Sequence, residues 1–256
     1  MILKSRKYGE GVEVLVILHG LFGQSDNWTG IARKLGESMK VFVFDLRNHG
    51  DSPHAEEMSY ELMAEDVAQT CAELALNKIH LAGHSMGGKV GMVMAQNFPQ
   101  MLKSLIVIDI APKPYKPHHQ QIIKGLRALN PSEIKSRTEA DEILSKYIGE
   151  SGVRQFLLKN LSRAEDGVFE WKFNLNVISD KIEEVGKPTI SKTSLLPTLF
   201  YTGEKSSYVH KSDHTAILSI FPNAQFIEMA DAGHWLHAEK PAELITTFLN
   251  WIERNS

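Results

Sequence analysis

The chain reads as a three-layer α/β protein, a mostly parallel sheet with helices on both faces. Two observations predict this. Short runs rich in β-branched residues recur at 12–18, 41–45, 79–82, 105–110, 198–202 and 225–229. Between them lie helix-length amphipathic segments at 28–37, 60–76 and 86–98, with another at 242–252 after the last run. Strands alternating with helices bury the strands from both sides, which is why the runs are continuously apolar and not alternating.

The boundaries follow turn chemistry. Pro99 ends the third helix, and Lys240-Pro241 stands where the last helix starts, since proline lacks the N–H that a first turn leaves unpaired anyway. The alternation stops near Lys113. Residues 113–196 open on Pro112, Pro114 and Pro117 and offer no convincing buried strand, only helical patterns at 120–129, 132–148, 153–161 and near 177–185. The sheet pattern resumes at Pro197. The expected organisation is a core domain of residues 1–112 and 197–256, with 113–196 a helical cap; compact domains seldom use so long a connection without a function for it.

Composition narrows the function. With 256 residues, 43% hydrophobic and 23% charged, the chain can bury a full core. A net charge of −3 with no dense basic run argues against nucleic acid or an anionic membrane as partner. The one cysteine, Cys71, cannot form an internal disulfide. The start of the chain lacks the apolar core of a secretion signal, and no run is long enough to span a membrane, so a soluble cytoplasmic protein is expected.

Chemistry is signalled at three strand ends. The run 79–82 leads into Gly83-His84-Ser85-Met86-Gly87-Gly88 and then a helix. A serine lifted above a sheet on a sharp strand-to-helix turn needs small residues two positions either side, which Gly83 and Gly87 supply. Met86 then begins the helix, with its N–H aimed where negative charge would develop. After the first apolar run comes His19-Gly20-Leu21-Phe22-Gly23, a loop able to offer a second N–H donor, for which Leu21 is the choice. After the last run comes Asp231-Ala232-Gly233-His234-Trp235-Leu236-His237. A histidine here can reach the Ser85 hydroxyl as general base. His237 competes for the role, but His234 follows Gly233 directly, at the expected loop position. A zinc site at the two histidines lacks a third ligand, so no metal and no organic cofactor is implied.

These motifs, with Asp45-Leu46-Arg47-Asn48-His49-Gly50-Asp51-Ser52, resemble the α/β-hydrolase family over essentially the whole chain. Ile108-Asp109-Ile110-Ala111-Pro112 and Gly233-His234-Trp235 followed by His237-Ala238-Glu239-Lys240-Pro241 resemble the small bacterial YbfF-like esterases. The resemblance implies that the 45–52 loop is structural, so Asp45, His49 and Asp51 receive no catalytic role. The family's acid usually follows the strand after the cap; here Ser206 holds that place, and serine cannot carry the charge. Asp109, at the end of the run before the cap and flanked by Ile108 and Ile110, is the candidate acid, and Glu204 is its rival. The resemblance implies that YbfF-like members use this strand-end Asp and keep a Ser later, making Ser206 an auxiliary residue.

The expected function is hydrolysis of a small-molecule carboxylic ester or thioester through an acyl-enzyme on Ser85, with His234 as base, Asp109 as acid and Leu21 and Met86 as oxyanion donors. Lys113, Lys116, Lys124, Arg127, Lys135 and Arg137 in the cap raise acyl-CoA phosphates as a target, against the plainer reading of a solvated helical face. Tyr115, Tyr147, Phe156, Phe169, Trp171 and Phe173 could line a pocket or form cap core. The alternatives are C–C bond hydrolysis or perhydrolysis on the same fold, or a non-catalytic ligand-binding protein.

Overall fold

The computed structural model describes residues 1–116, 119–189 and 192–256. Pro117, cited above at the opening of the cap, lies outside them. Seven strands form one sheet: β1 (Ser5–Tyr8), β2 (Val14–Leu18), β3 (Lys40–Phe44), β4 (Ile79–His84), β5 (Leu102–Ile108), β8 (Thr198–Gly203) and β9 (Ala224–Met229), in the order β1-β3-β2-β4-β5-β8-β9. All neighbours pair in parallel except β1, which runs antiparallel to β3. β1 is a strand that the sequence pattern does not predict. Its residues, Ser-Arg-Lys-Tyr, are polar, as an edge strand allows, and carry no apolar signal.

Side-chain alternation along the central strands sorts the core into two layers. Val16, Leu18, Phe42, Phe44, Leu105 and Val107 point to one face, where α2 (Tyr60–Glu73) and α3 (Met86–Asn97) bring Met63, Val67, Val90 and Val93. Leu15, Ile17, Val41, Val43, Ile106 and Ile108 point to the other, against α1 (Thr29–Leu35) and α11 (Pro241–Arg254), which supply Ile31, Leu35, Leu244, Phe248 and Trp251. The period of two therefore survives in strands whose residues are all apolar. Local chemistry sets the helix starts: the Ser59 hydroxyl accepts from the Leu62 N–H at the head of α2, and Pro241 opens α11.

Between β5 and β8 the chain leaves the sheet. It forms α4 (Gln120–Ala128), α5 (Arg137–Ser145), α6 (Ser151–Leu158), a hairpin of β6 (Leu161–Arg163) and β7 (Phe169–Trp171), then α7 (Leu175–Asp180) and α8 (Ile182–Gly186). The hairpin corrects the all-helical expectation for this stretch. It is too short to show a strand period, yet it buries Leu161 and Phe169, and it pairs only with itself. The expected helix at 132–148 is reduced to α5, which starts only after the Ser136 cap. The helix placed near 177–185 is two short helices broken at Lys181. Returning to the core, α9 (His214–Ile220) links β8 to β9, and the single turn α10 (Leu236–Glu239) precedes α11. Among the described residues no helix is long and apolar enough to cross a membrane.

Candidate active site

The carboxyl ends of the parallel strands lie along one edge of the sheet, where side chains from different loops converge. Ser85 immediately follows β4 with φ 51° and ψ −115°, a conformation that costs energy for any residue with a Cβ. The neighbours that permit it must be glycine. A Cβ on Gly83 would lie 2.1 Å from the Gly87 carbonyl oxygen, and one on Gly87 would lie 2.6 Å from those of Leu18 and His19. The Ser85 N–H donates to the Ile108 carbonyl at 2.9 Å, tying the turn to β5 and leaving Met86 to offer the first free N–H of α3.

Asp109 comes directly after β5, which ends one residue before it, and also has positive φ (51°). It is fully buried, where a carboxylate must be hydrogen-bonded on every side. The Gly203 N–H donates to Oδ1 at 3.1 Å, the Ser206 hydroxyl donates to Oδ2, and His234 Nδ1 lies 2.7 Å from the same Oδ2. Ser206 Oγ in turn accepts from the Tyr208 N–H at 3.2 Å. The Tyr208 ring stacks on the His234 imidazole, centroids 3.9 Å apart and planes 14° apart. Burial, then the charge of Asp109, push the Tyr208 hydroxyl up to about 12, so it stays neutral at ordinary pH.

The rivals named from sequence are tied to other partners. His237 lines the cavity beside Ser85 but stacks on Trp28 with ring centroids 4.6 Å apart, while His234 takes the contact with Asp109. Burial, followed by the charges of His234 and Lys159, pushes His237 down to about 4. Glu204 accepts from the Asp231 N–H at 2.7 Å, bracing the loop before His234. Ser85, His234 and Leu21 all line one cavity of about 560 Å³, which Ile122, Val153 and Phe156 from the segment between β5 and β8 also line.

The loop after β2 stands against Ser85: a Cβ on Gly20 would lie 3.4 Å from that of Ser85. Leu21 N–H meets no acceptor among the described residues. Its neighbour Phe22, at φ 57°, is held by both polar groups of its backbone. Phe22 N–H donates to His49 Nε2 at 3.2 Å, and its carbonyl accepts from Asn160 Nδ2 at 2.8 Å. His19 works alongside, accepting the Leu46 N–H on Nε2 at 3.0 Å while Nδ1 contacts the Gly20 carbonyl at 2.8 Å. Both rings thus carry their proton on Nδ1 and act as neutral connectors. Desolvation pushes His19 to about 4, and desolvation with the charge of His19 pushes His49 to about 3.

The 45–52 loop is scaffold. Asp45 accepts from the Ser25 and Asp51 N–H groups, and a Cβ on Gly50, at φ 57°, would lie 2.3 Å from the carbon of that carboxylate. Arg47 makes a two-pronged, buried ion pair with Asp66 at 2.6 and 2.9 Å.

Two further residues were missed from sequence. His84, immediately before Ser85, places Nε2 2.8 Å from the His234 carbonyl oxygen. Tyr208 stacks on His234, and nothing in its sequence neighbourhood signals that. Of the cations between β5 and β8, Lys113 pairs with Asp213 at 2.5 Å, Arg127 with Asp180 at 3.4 Å, and Arg137 donates to the Leu161 carbonyl. Of the aromatics there, Phe156 lines the cavity beside Ser85, whereas Phe169 and Phe173 belong to the core.

Residues 13–136 match the model of the α/β-hydrolase fold family. Esterase YbfF of Escherichia coli is 36% identical to this chain over 93% of it and 92% of that protein. This chain belongs to the α/β-hydrolase family. The sn-1-specific diacylglycerol lipase ABHD11 of Danio rerio is 38% identical, over 93% of this chain and 78% of that one. A solved marine microorganism esterase superposes with a TM-score of 0.95 at 42% identity, covering 98% of this chain and 99% of that structure. With these relatives the chain is a hydrolase of the carboxylesterase type.

Proposed function

We propose that the protein hydrolyses carboxylic esters, or thioesters, through an acyl-enzyme on Ser85. The observation that carries the reading is the 2.7 Å contact between His234 Nδ1 and the buried Asp109, with Ser85 and His234 on the wall of one cavity. An imidazole held by a carboxylate at Nδ1 presents Nε2 as a base. In the reaction Nε2 takes the Ser85 proton as Oγ bonds to the acyl carbon. Asp109 balances the imidazolium. The N–H groups of Leu21 and Met86 receive the negative carbonyl oxygen. Nε2 then hands its proton to the leaving oxygen or sulfur as that bond breaks, and a water activated in the same way releases the acid. Ser85 Oγ makes no hydrogen bond to a described residue; in the proposed reaction its proton comes within reach of His234 Nε2 once substrate binds. Residues 113–196 serve as the cap, a reading supported by the absence of their described residues from the main sheet and by Ile122, Val153 and Phe156 on the cavity wall. The pairing of Lys113 and Arg127 with carboxylates weighs toward ordinary esters over acyl-CoA phosphates.

Hydrolysis of p-nitrophenyl acetate tests this. Ser85→Ala is expected to lose on the order of 10⁶-fold in kcat and Asp109→Asn about 10⁴-fold. A fluorophosphonate probe is expected to label the wild type and not Ser85→Ala. Turnover or labelling that survives in Ser85→Ala overturns the reading.

A further inference from the structure

Two cavities meet at Ser85, and they differ in the one feature that orients an ester. The larger, of about 560 Å³, has His234, Gly233 and Trp235 in its wall. The smaller, of about 30 Å³, has Ser85, Leu21 and Met86 in its wall with Tyr60, Tyr115, Ile110, Ile182 and Val185, and lacks His234. We infer that the small cavity is the acyl site and the large one the leaving-group site, so the enzyme acts on esters of short acids with bulky alcohols or thiols. The inference rests on the serine-esterase reading above.

The argument is about proton delivery. When the tetrahedral intermediate collapses, the bond from carbon to the leaving oxygen breaks and that oxygen takes the proton from His234. The leaving group must therefore lie on the His234 side of Ser85. The carbonyl oxygen is committed to the Leu21 and Met86 N–H groups. The acyl chain is left with the remaining direction, away from His234, which leads into the small cavity. A water-sized group needs ~10–15 Å³ by this measure, so the space suits an acyl chain of about two to four carbons.

The wall of the small cavity is built to hold that size. The Tyr60 hydroxyl donates to the Val185 carbonyl at 2.7 Å, fastening α8 to α2. The Tyr115 hydroxyl accepts from the Ala111 N–H at 2.9 Å and donates to the Tyr208 carbonyl at 2.7 Å. The buried Lys89 ammonium lies 5.4 Å from the Tyr60 ring and 4.9 Å from the Tyr115 ring, filling the space between them, and donates to the Lys187 carbonyl. With both tyrosines fastened at the hydroxyl, extra methylenes meet a wall that cannot swing aside. Ile182 and Val185, on a short, half-buried helix, are the side chains whose loss lengthens the site with least damage to the fold.

The experiment measures kcat/KM for two series: p-nitrophenyl esters from acetate to octanoate, and acetates of alcohols from methyl to naphthyl. Wild type is expected to fall about 100-fold or more from butanoate to octanoate. It is expected to accept the largest alcohols without loss. Val185→Ala and Ile182→Ala are expected to regain at least about 10-fold on octanoate, with the order of preference among alcohols unchanged. Phe156→Ala and Trp235→Ala are expected to change the alcohol series and leave the acyl optimum in place. A wild type equally fast on octanoate, or an acyl optimum that follows Phe156 and Trp235 instead, overturns the inference while leaving Ser85 as nucleophile. A wild type inert on every ester and unlabelled by fluorophosphonate overturns the serine-esterase reading, and this inference with it.

Discussion

Ser206 and His234 converge on a single oxygen: the Ser206 hydroxyl and His234 Nδ1 both bond to Oδ2 of Asp109. The other oxygen, Oδ1, takes the Gly203 N–H, so the carboxylate is fixed at both ends and cannot rotate away from the imidazole. Ser206, in the loop after β8, carries no charge; it hydrogen-bonds a carboxylate that stands at the end of β5.

Removing that hydrogen bond has a defined cost. A hydrogen bond to a charged group contributes about 1.5–3 kcal/mol. Ser206→Ala is expected to lower kcat about 10-fold with KM little changed, and to lower Tm by a few degrees. Ser206→Thr, which keeps the hydroxyl, is expected to restore most of the loss. Steady-state kinetics and thermal melts of the two variants decide it: wild-type kcat in Ser206→Ala means the hydroxyl plays no positioning role.

His84 acts on the other partner. Its Nε2 lies 2.8 Å from the His234 carbonyl oxygen, and its ring packs 4.7 Å from the His234 ring and 4.8 Å from the His237 ring. The residue before Ser85 thus holds the loop that carries His234. Displacing a catalytic group by an ångström can cost about 100-fold, so His84→Ala is expected to lose 10- to 100-fold in kcat. KM should move little, and fluorophosphonate labelling should slow in parallel, because in the proposed mechanism His234 activates Ser85 in both reactions. Unchanged labelling would show that the His234 loop holds its place without His84.

What sequence revealed about this site, and what it did not, divides along one physical line. Ser85, Gly83 and Gly87 were legible because the turn forbids side chains at fixed positions, and β2 through β5 were legible because burial on both faces demands continuous apolar residues. His234 was legible because it lies in a motif after the last strand. Asp109 stands out as a carboxylate between Ile108 and Ile110 at an apolar strand end, and the YbfF-like resemblance implies its use where Ser206 holds the place of the family's usual acid. Contacts that join residues far apart in the chain left no local trace. The Asn160 amide on the Phe22 carbonyl, the Tyr208 ring on His234 and the His84 bond to the His234 carbonyl are of this kind. The β6–β7 hairpin and the edge strand β1 escaped because three or four residues, polar or capped by turns, carry no period.

The neutral histidines around the loop after β2 make the fold sensitive to mild acid. His19 and His49 each accept a backbone N–H on Nε2, so a second proton has nowhere to go without breaking the bond to Leu46 or Phe22. His19 and His237 are held at about 4 and His49 at about 3, against an ordinary value of 6.5, and burial lowers His84 in the same direction. Between those values and 6.5 the unfolded chain binds protons that the folded chain refuses, so stability rises with pH across that window. The contribution is therefore complete above pH 6.5 and lost as pH falls toward 4, at roughly 3 kcal/mol per histidine when fully lost. Carboxylates held below their ordinary values, such as Glu13, whose ordinary value is 4.5, release their share only under more acidic conditions. Thermal melts from pH 8 to pH 4.5 are expected to show a level Tm above pH 7 and a steady fall below pH 6.5. His49→Asn, whose amide can accept the Phe22 N–H without titrating, is expected to start lower and fall less steeply. A Tm that stays level to pH 4.5, or a slope unaltered in His49→Asn, would show that these rings are not the groups that take up the protons.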